Sequence, residues 1–307
     1  MDMQEVSFQE YKELFPSPKI AFDTVAFAEL NKNKCQSVHY LIFRDTKIRL
    51  GLIAGEKENL LCSPYSAPFS LFESNKLERI EHYEQFVQEL KEFALKKGKN
   101  LRIVLPPSIY GSVVSKMFSS LMRANARIVY TDLNYHYPLY RFAHYCDYLE
   151  RSARKNFHNS ENVCFNFLKL DTDADCDVER AYIVIKKNRE ERGFPLRMTL
   201  QDVLATRKII NADFFVMSYE GIDVAAAQVF HVAKDIAQVI YWGDLPQYSH
   251  LRTMNFFTYK VFEYYSQTNI QILDIGPSTE DGVPNYGLCE FKENIGCEVT
   301  LKHTLLI

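Results

Sequence analysis

Paired cysteines are missing from this chain. Its seven cysteines, Cys35, Cys62, Cys146, Cys164, Cys176, Cys289 and Cys297, are scattered, with no Cys-x-x-Cys and no Cys/His spacing of a zinc site. No metal is expected, and the pattern fits a reduced, cytoplasmic chain. Long apolar runs are missing too: nothing approaches membrane-span length, and the N-terminus, Met-Asp-Met-Gln-Glu, is acidic. A soluble cytoplasmic protein with no membrane span is the expectation. Nor is there an excess of positive charge. With 36 Lys+Arg against 39 Asp+Glu the net charge is -3, so no global field draws the chain onto nucleic acid. No Ser/His/Asp or Cys/His set has readable spacing, so covalent catalysis has no support in the sequence. Tryptophan occurs once, against 22 Phe and 19 Tyr; such aromatics suit clefts and cores alike.

What is present reads as two domains, since 307 residues exceed one ordinary core and the 47% apolar, 24% charged composition is globular. The boundary falls near Tyr137-Pro138, giving domains 1–138 and 139–307. Residues 1–36 are a mixed opening segment, with 21–31 a candidate helix. Residues 38–43 and 48–54 form a hairpin, and 60–62 begin the next strand. The loop Ser63 to Ser70 carries two prolines and reads equally as a cleft wall or a rigid connector. Residues 77–97 have helical apolar spacing closed by Gly98, followed by a strand over 101–105, a helix over 110–124 and a strand over 126–131. This half shows no nucleophile and no phosphate loop, so it reads as a degenerate copy.

The second half opens with a helix over 142–160 bearing Arg151, Arg154 and Lys155. A strand over 163–170 follows, then an acidic turn lacking the central Gly and terminal Glu of a calcium loop. Asp177 or a neighbour is the expected cap of a helix over 178–192, and Thr199 of a helix over 200–210. Strands over 213–219, 222–232 and 236–242 make a meander, and a helix leads to a strand at Ile270 to Ile275. That strand holds a single acid, Asp274, just before the stop at Gly276-Pro277. A last strand runs from Cys297 to Leu306.

The pattern strand-Asp274-Ile275-Gly276-x-Ser278, a polar loop, then Gly287-Leu288-x-x-Phe291-Lys292-x-x-x-Gly296 and a final strand resembles the C-terminal end of the Fem-type acyltransferases, tandem-domain members of the GNAT superfamily. The likeness covers about residues 140–300. It implies an α+β (mixed α/β) fold of two tandem GNAT-like domains, each a mostly antiparallel sheet flanked by helices, with the second the active half. It also implies transfer of an acyl or aminoacyl group to a small-molecule or peptidyl amine, from acyl-CoA or aminoacyl-tRNA, within envelope or polysaccharide metabolism. Lys292 matches the family lysine linked to the oxyanion or a substrate phosphate, and Asp274 is the next catalytic candidate, as base or orienting group. Its structural alternative is an acid that bonds loop amides.

The family's donor site lies at the start of the helix after the fourth strand, here Ser249, His250 and Arg252. No glycine stands between Leu245 and Ser266, a departure from the coenzyme A loop, so an ordinary cap with solvated basic residues is an equal reading. Arg154, Lys155, Tyr241, Trp242 and Tyr286 are the candidates for substrate binding. The acidic net charge argues against tRNA, whose phosphates dominate such affinity. The rival to an enzyme is a non-catalytic ligand-binding protein that keeps the fold and has lost the donor loop.

Overall fold

The computed structural model describes residues 2–307. The first half contains β1 (Asp2–Val6), α1 (Phe8–Leu14), α2 (Val25–Asn31), β2 (Val38–Arg44), β3 (Ile48–Lys57), β4 (Leu60–Ser63), α3 (Ile80–Lys96), β5 (Asn100–Val104), α4 (Val113–Arg123) and β6 (Arg127–Pro138). Then come α5 (Arg151–Ser160), β7 (Phe165–Lys169), α6 (Asp175–Arg192), α7 (Leu200–Thr206), β8 (Ala212–Tyr219), β9 (Ile222–His231), β10 (Ile236–Asp244) and α8 (Thr253–Ser266). The chain closes with β11 (Ile272–Pro277), the short β12 (Thr279–Glu280) and β13 (Val283–Pro284), α9 (Tyr286–Asn294) and β14 (Glu298–Leu306). The class is α+β. Among the described residues no helix is long and apolar enough to cross a membrane.

Two compact units result. One runs to Leu133 and includes Thr279–Val283 and Thr300–Ile307; the other comprises Asn134–Ser278 and Pro284–Val299. The expected cut after residue 138 comes at the end of β6, whereas the unit boundary falls inside that strand. The end of the chain returns to the first unit because Thr304, Leu305 and Leu306 pair antiparallel with Val104, Ile103 and Arg102 of β5.

Both units repeat one scheme. In the first, β2, β3 and β4 form an antiparallel meander, α3 crosses over, and β5 pairs parallel with β4. In the second, β8, β9 and β10 form the meander, α8 crosses over, and β11 pairs parallel with β10. A crossover helix is what a parallel neighbour requires, since a hairpin turn can only return a strand antiparallel. Residues 134–138 of β6 complete the second sheet beside β11. The second unit's core gathers Tyr137, Phe157, Phe215, Phe257, Phe262 and Tyr265, with α5 and α8 packed together and α6 lying on β9 and β10.

Three local expectations change. The helix expected over 142–160 is two pieces: 3-10 turns over Leu139–Tyr148, broken at His144 (φ -124°), and then α5. Between them the Glu150 amide donates to the Asn294 carbonyl at 3.0 Å, which takes the backbone out of the helical ladder. Asp177 does not cap α6. The helix starts at Asp175 behind Ala174, and the Asp177 carboxylate instead accepts the Asp171 amide at 2.9 Å. The opening segment holds β1, which pairs with β2, and two short helices. Thr199 caps α7 in a reciprocal box with Asp202.

Candidate active site

The second unit's parallel pair is short. Ile236, Ala237 and Gln238 face Ile272, Leu273 and Asp274, and there the pairing stops. Directly beyond, each strand carries an irregularity against its other neighbour: β10 between Val239 and Tyr241 against β9, and β11 between Asp274 and Gly276 against β6. An extra residue on one strand bends it and raises its twist. With Ile240 and Ile275 inserted at the same level, the two strands diverge and a gap opens between β10 beyond Val239 and β11 beyond Asp274. The backbone along this edge has lost its ladder partner. The Leu245 amide donates to the Val224 carbonyl at 2.8 Å, so alternation turns Tyr241 and Gly243 towards β9, and Trp242 and Asp244 away from it. At the far end Asn188 stands in for the missing strand, donating Nδ2 to the Asp244 carbonyl at 2.6 Å. Gly243 permits this approach, since a Cβ there would lie 2.4 Å from Asn188 Oδ1.

Asp274 sits at the vertex of the gap, fully buried. Its Oδ1 accepts Asn134 Nδ2 at 2.7 Å and the Gly276 amide at 2.9 Å, and its Oδ2 accepts Gln238 Nε2 at 2.8 Å. One carboxylate thus ties β6, β10 and the turned end of β11 together. Gly276, at φ +73°, supplies the left-handed residue that lets the chain fold back onto its own aspartate. With both oxygens engaged and no exposed surface, Asp274 holds the strand ends in place.

Lys292 lies on α9, 2% exposed, and reaches the same strand end. Its Nζ donates to the carbonyls of Ile275 (3.1 Å), Gly276 (2.8 Å) and Pro277 (3.1 Å), and lies 5.4 Å from the Tyr135 ring centroid. An ammonium has three donors, and all three are taken. Lys292 thus ties α9 to the bulged end of β11. Burial holds its ammonium down to about 8, against an opposing pull from Cys297 and Asp274.

The other candidates divide by place. Burial pushes the Tyr241 phenol up, and its ring packs 5.1 Å from the Arg189 guanidinium. Trp242 packs edge-on to Phe291 of α9, 6.4 Å between centroids. Tyr241 and Trp242 thus stand beside the gap together with Asp274 and Lys292. Ser249, His250 and Arg252 are exposed at the start of α8, which follows the 3-10 turns of Pro246–Leu251. His250 Nδ1 lies 2.9 Å from the Gln247 carbonyl, and Arg252 holds a left-handed backbone at φ 60°. Arg154 and Lys155 are exposed on α5, where Arg154 Nη2 bonds the Leu149 carbonyl at 3.3 Å. Tyr286 opens α9 and is 79% exposed.

Sequence reasoning missed Asn134, Gln238, Asn188 and Arg189. A signal existed for Gln238, a lone amide inside an apolar strand, which needs a buried partner. Asn134 lay beyond the expected end of its strand.

No protein-family model matches the chain, and no curated protein matches it by sequence. Its fold is similar to that of FemX, at 12% identity and TM-score 0.69 over 99% of this chain and 97% of that one. It is similar to the C-terminal domain of a putative lysylphosphatidylglycerol synthetase from Agrobacterium fabrum, at 11% identity and TM-score 0.64 over 98% and 92%. A tandem GNAT protein from the clavulanic acid biosynthesis pathway matches at 10% identity and TM-score 0.54 over 99% and 97%. The chain has the Fem-like tandem GNAT fold.

Proposed function

We propose that the protein is an acyltransferase whose second unit moves an acyl or aminoacyl group from an activated donor to an amine. The observation that carries this reading is the bulged divergence of β10 from β11, which leaves an unpaired strand edge facing a gap. Backbone amides fixed on such an edge polarise a carbonyl without reorganising during reaction. The donor carbonyl lies against this edge near Trp242. The amine enters beside it, the new N–C bond forms, the C–O or C–S bond of the donor breaks, and the proton released by the amine ends on the leaving group or in water. Asp274 and Lys292 act as positioning residues: they fix the two strand ends, and a small misplacement of such groups is costly in rate.

The start of α8, with Ser249, His250 and Arg252, is the donor's anchoring end, because unpaired amides at a helix start favour anions. Arg154, Lys155 and Tyr286 are assigned to more distant parts of the substrates. The donors to be tested are acyl-CoA and aminoacyl-tRNA. An acceptor from envelope metabolism fits a fold shared with FemX and with a putative lysylphosphatidylglycerol synthetase domain, and the scattered cysteines support cytoplasmic work. The second reading, a ligand-binding protein without catalysis, is favoured by one observation: no glycine stands between Leu245 and Ser266 to admit a diphosphate.

The test is a panel of acetyl-CoA, longer acyl-CoAs and charged tRNAs, screened by thermal shift and then by label transfer to amine acceptors. The acyltransferase reading expects a donor that both raises the melting temperature and gives up its label. Binding without transfer for every donor and acceptor would establish the second reading. On a confirmed pair, unchanged turnover in Lys292→Ala would remove that residue from the mechanism.

A further inference from the structure

One partly buried arginine of the second unit, Arg189, has no counter-ion among the described residues. Arg189, in the last turn of α6, has its guanidinium 5.1 Å from the Tyr241 ring centroid and 5.7 Å from that of Phe194. Its Nε is sealed from water and bonds nothing. Among the described residues no carboxylate pairs with it. The acids nearby in sequence and space are engaged elsewhere: Glu190 with Lys186 (3.8 Å), Glu191 with Lys187 (3.9 Å) and Asp244 with Arg192 (2.9 Å). Other arginines of the same unit are paired: Arg180 with Asp223, Arg141 with Glu298 and Arg207 with Asp175. A partly buried charge without a partner is costly, and structures retain one where something else supplies the partner.

The position is informative. Tyr241, whose ring lies 5.1 Å from the Arg189 guanidinium, belongs to the stretch of β10 beyond its last parallel pair, so Arg189 stands at the strand edge that borders the gap. Lys292 has no donor to give, whereas the aromatic contacts of Arg189 leave the donor edge of the guanidinium free for a two-pronged bond.

We propose that Arg189 anchors an anionic oxygen group, a phosphate or a carboxylate, on the acyl acceptor. Assignment to the acceptor rests on the acyltransferase reading, in which the donor is held at the start of α8. The anion site itself does not depend on that reading. The acceptor is accordingly an amine that also bears a negative charge, and the pairing sets its amine at the Trp242 edge.

Inorganic phosphate, pyrophosphate and malonate, titrated calorimetrically into the full chain, test this. The fluorescence of Trp242, the one tryptophan in the sequence, is recorded alongside. At least one anion is expected to bind saturably, and the stronger class identifies the group as phosphate or carboxylate. Arg189→Gln should weaken that binding by about tenfold or more, as loss of a charge-assisted pair does. Lys186→Gln, which removes one charge from the exposed face of the same helix, should leave it unchanged. Should Arg189→Gln not fold, Arg189→Lys keeps the charge without the fork, and a weakening of about threefold or more is expected. The proposal is overturned if no anion saturates the wild type, if the Arg189 variant that folds binds like the wild type, or if Lys186→Gln loses as much. None of these outcomes depends on turnover, so a failed transfer assay leaves the result readable.

Discussion

The two units build the same parallel pair and finish it in opposite ways. In the first, Leu60–Ser63 of β4 pair with Asn100–Ile103 of β5, and β4 then ends. The chain itself fills the space beyond. The Ser70 amide donates to the Val104 carbonyl at 3.1 Å, and Glu73 exchanges backbone bonds of 2.8 and 2.9 Å with Gly51 of β3. Residues 70–73 thus lie between β3 and β5, with Phe69, Leu71 and Phe72 at most 1% exposed. In the second unit β10 runs on past its last parallel pair as a bulged edge, and nothing comparable enters. The last paired residues differ in kind as well: Ser63 opposite Ile103, against Gln238 opposite Asp274. The plug carries its own polar bonds, Ser63 Oγ to Ser70 Oγ at 2.8 Å and the Leu71 amide to the buried Asp23 carboxylate at 2.8 Å, whereas the open edge is braced by Asp274. The first unit thus closes the space beyond its parallel pair with its own chain, and the second does not.

The largest tests attack the plug and the brace. Phe72→Ala removes a fully buried ring packed on Phe86 at 5.1 Å and is expected to cost about 3–5 kcal/mol. Asp274→Ala leaves the donors of Asn134, Gln238 and Gly276 without this acceptor and is expected to cost a similar amount, about 3–5 kcal/mol. Denaturant unfolding measures both. Their consequences separate in function: at a temperature where both are folded, Phe72→Ala should keep donor binding and Asp274→Ala should lose it. Equal retention in the two variants would dissolve the distinction between the units.

Lys292 sharpens the comparison through pH. Its proton affinity falls on folding, from about 10.4 in the open chain to about 8 in the folded protein. Between those values the unfolded chain keeps a proton that the folded one has released. Unfolding free energy therefore rises with pH across this window, by about 3 kcal/mol in total, and the cost of the buried charge is present in full below it. Lys292→Met has no such group, so wild type should gain about 3 kcal/mol of stability relative to the variant from pH 8 to 10.4. Parallel stability curves over that range would mean that Lys292 does not titrate there.

Much of this architecture was legible in the residues and some of it was not. The order of strands and helices could be read because each meander strand and the crossover helix keeps a clear period, and the acid and lysine stood out by their motif. Their roles could not be read: a bulge adds one apolar residue, Ile240 or Ile275, and leaves composition and alternation almost untouched. The plug was hidden for a related reason. Pro64 and Pro68 mark a loop, and only the buried amide bonds to Val104 and Gly51 show it to be part of the sheet. Arg189 was masked by a run of charges that is otherwise solvated, since stacking on Tyr241 depends on a residue 52 positions away.

The smallest expected effect concerns how each crossover helix begins. Arg79, before α3, is extended at φ -76°, an ordinary conformation for any residue. Arg252, before α8, is left-handed at φ 60° and ψ 35°, after a run of 3-10 turns. A side chain in that region costs about 1–2 kcal/mol that glycine does not, while glycine costs about 0.5–1 kcal/mol more to order. Arg252→Gly should therefore stabilise the protein by about 0.5–1 kcal/mol, and Arg79→Gly should destabilise it by a similar amount. Arg252→Ala isolates the side chain from the backbone, because alanine keeps the left-handed penalty. If Arg252→Ala matches Arg252→Gly in the unfolding midpoint, the backbone at this turn is relaxed. The start of α8 then carries no strain that glycine could relieve.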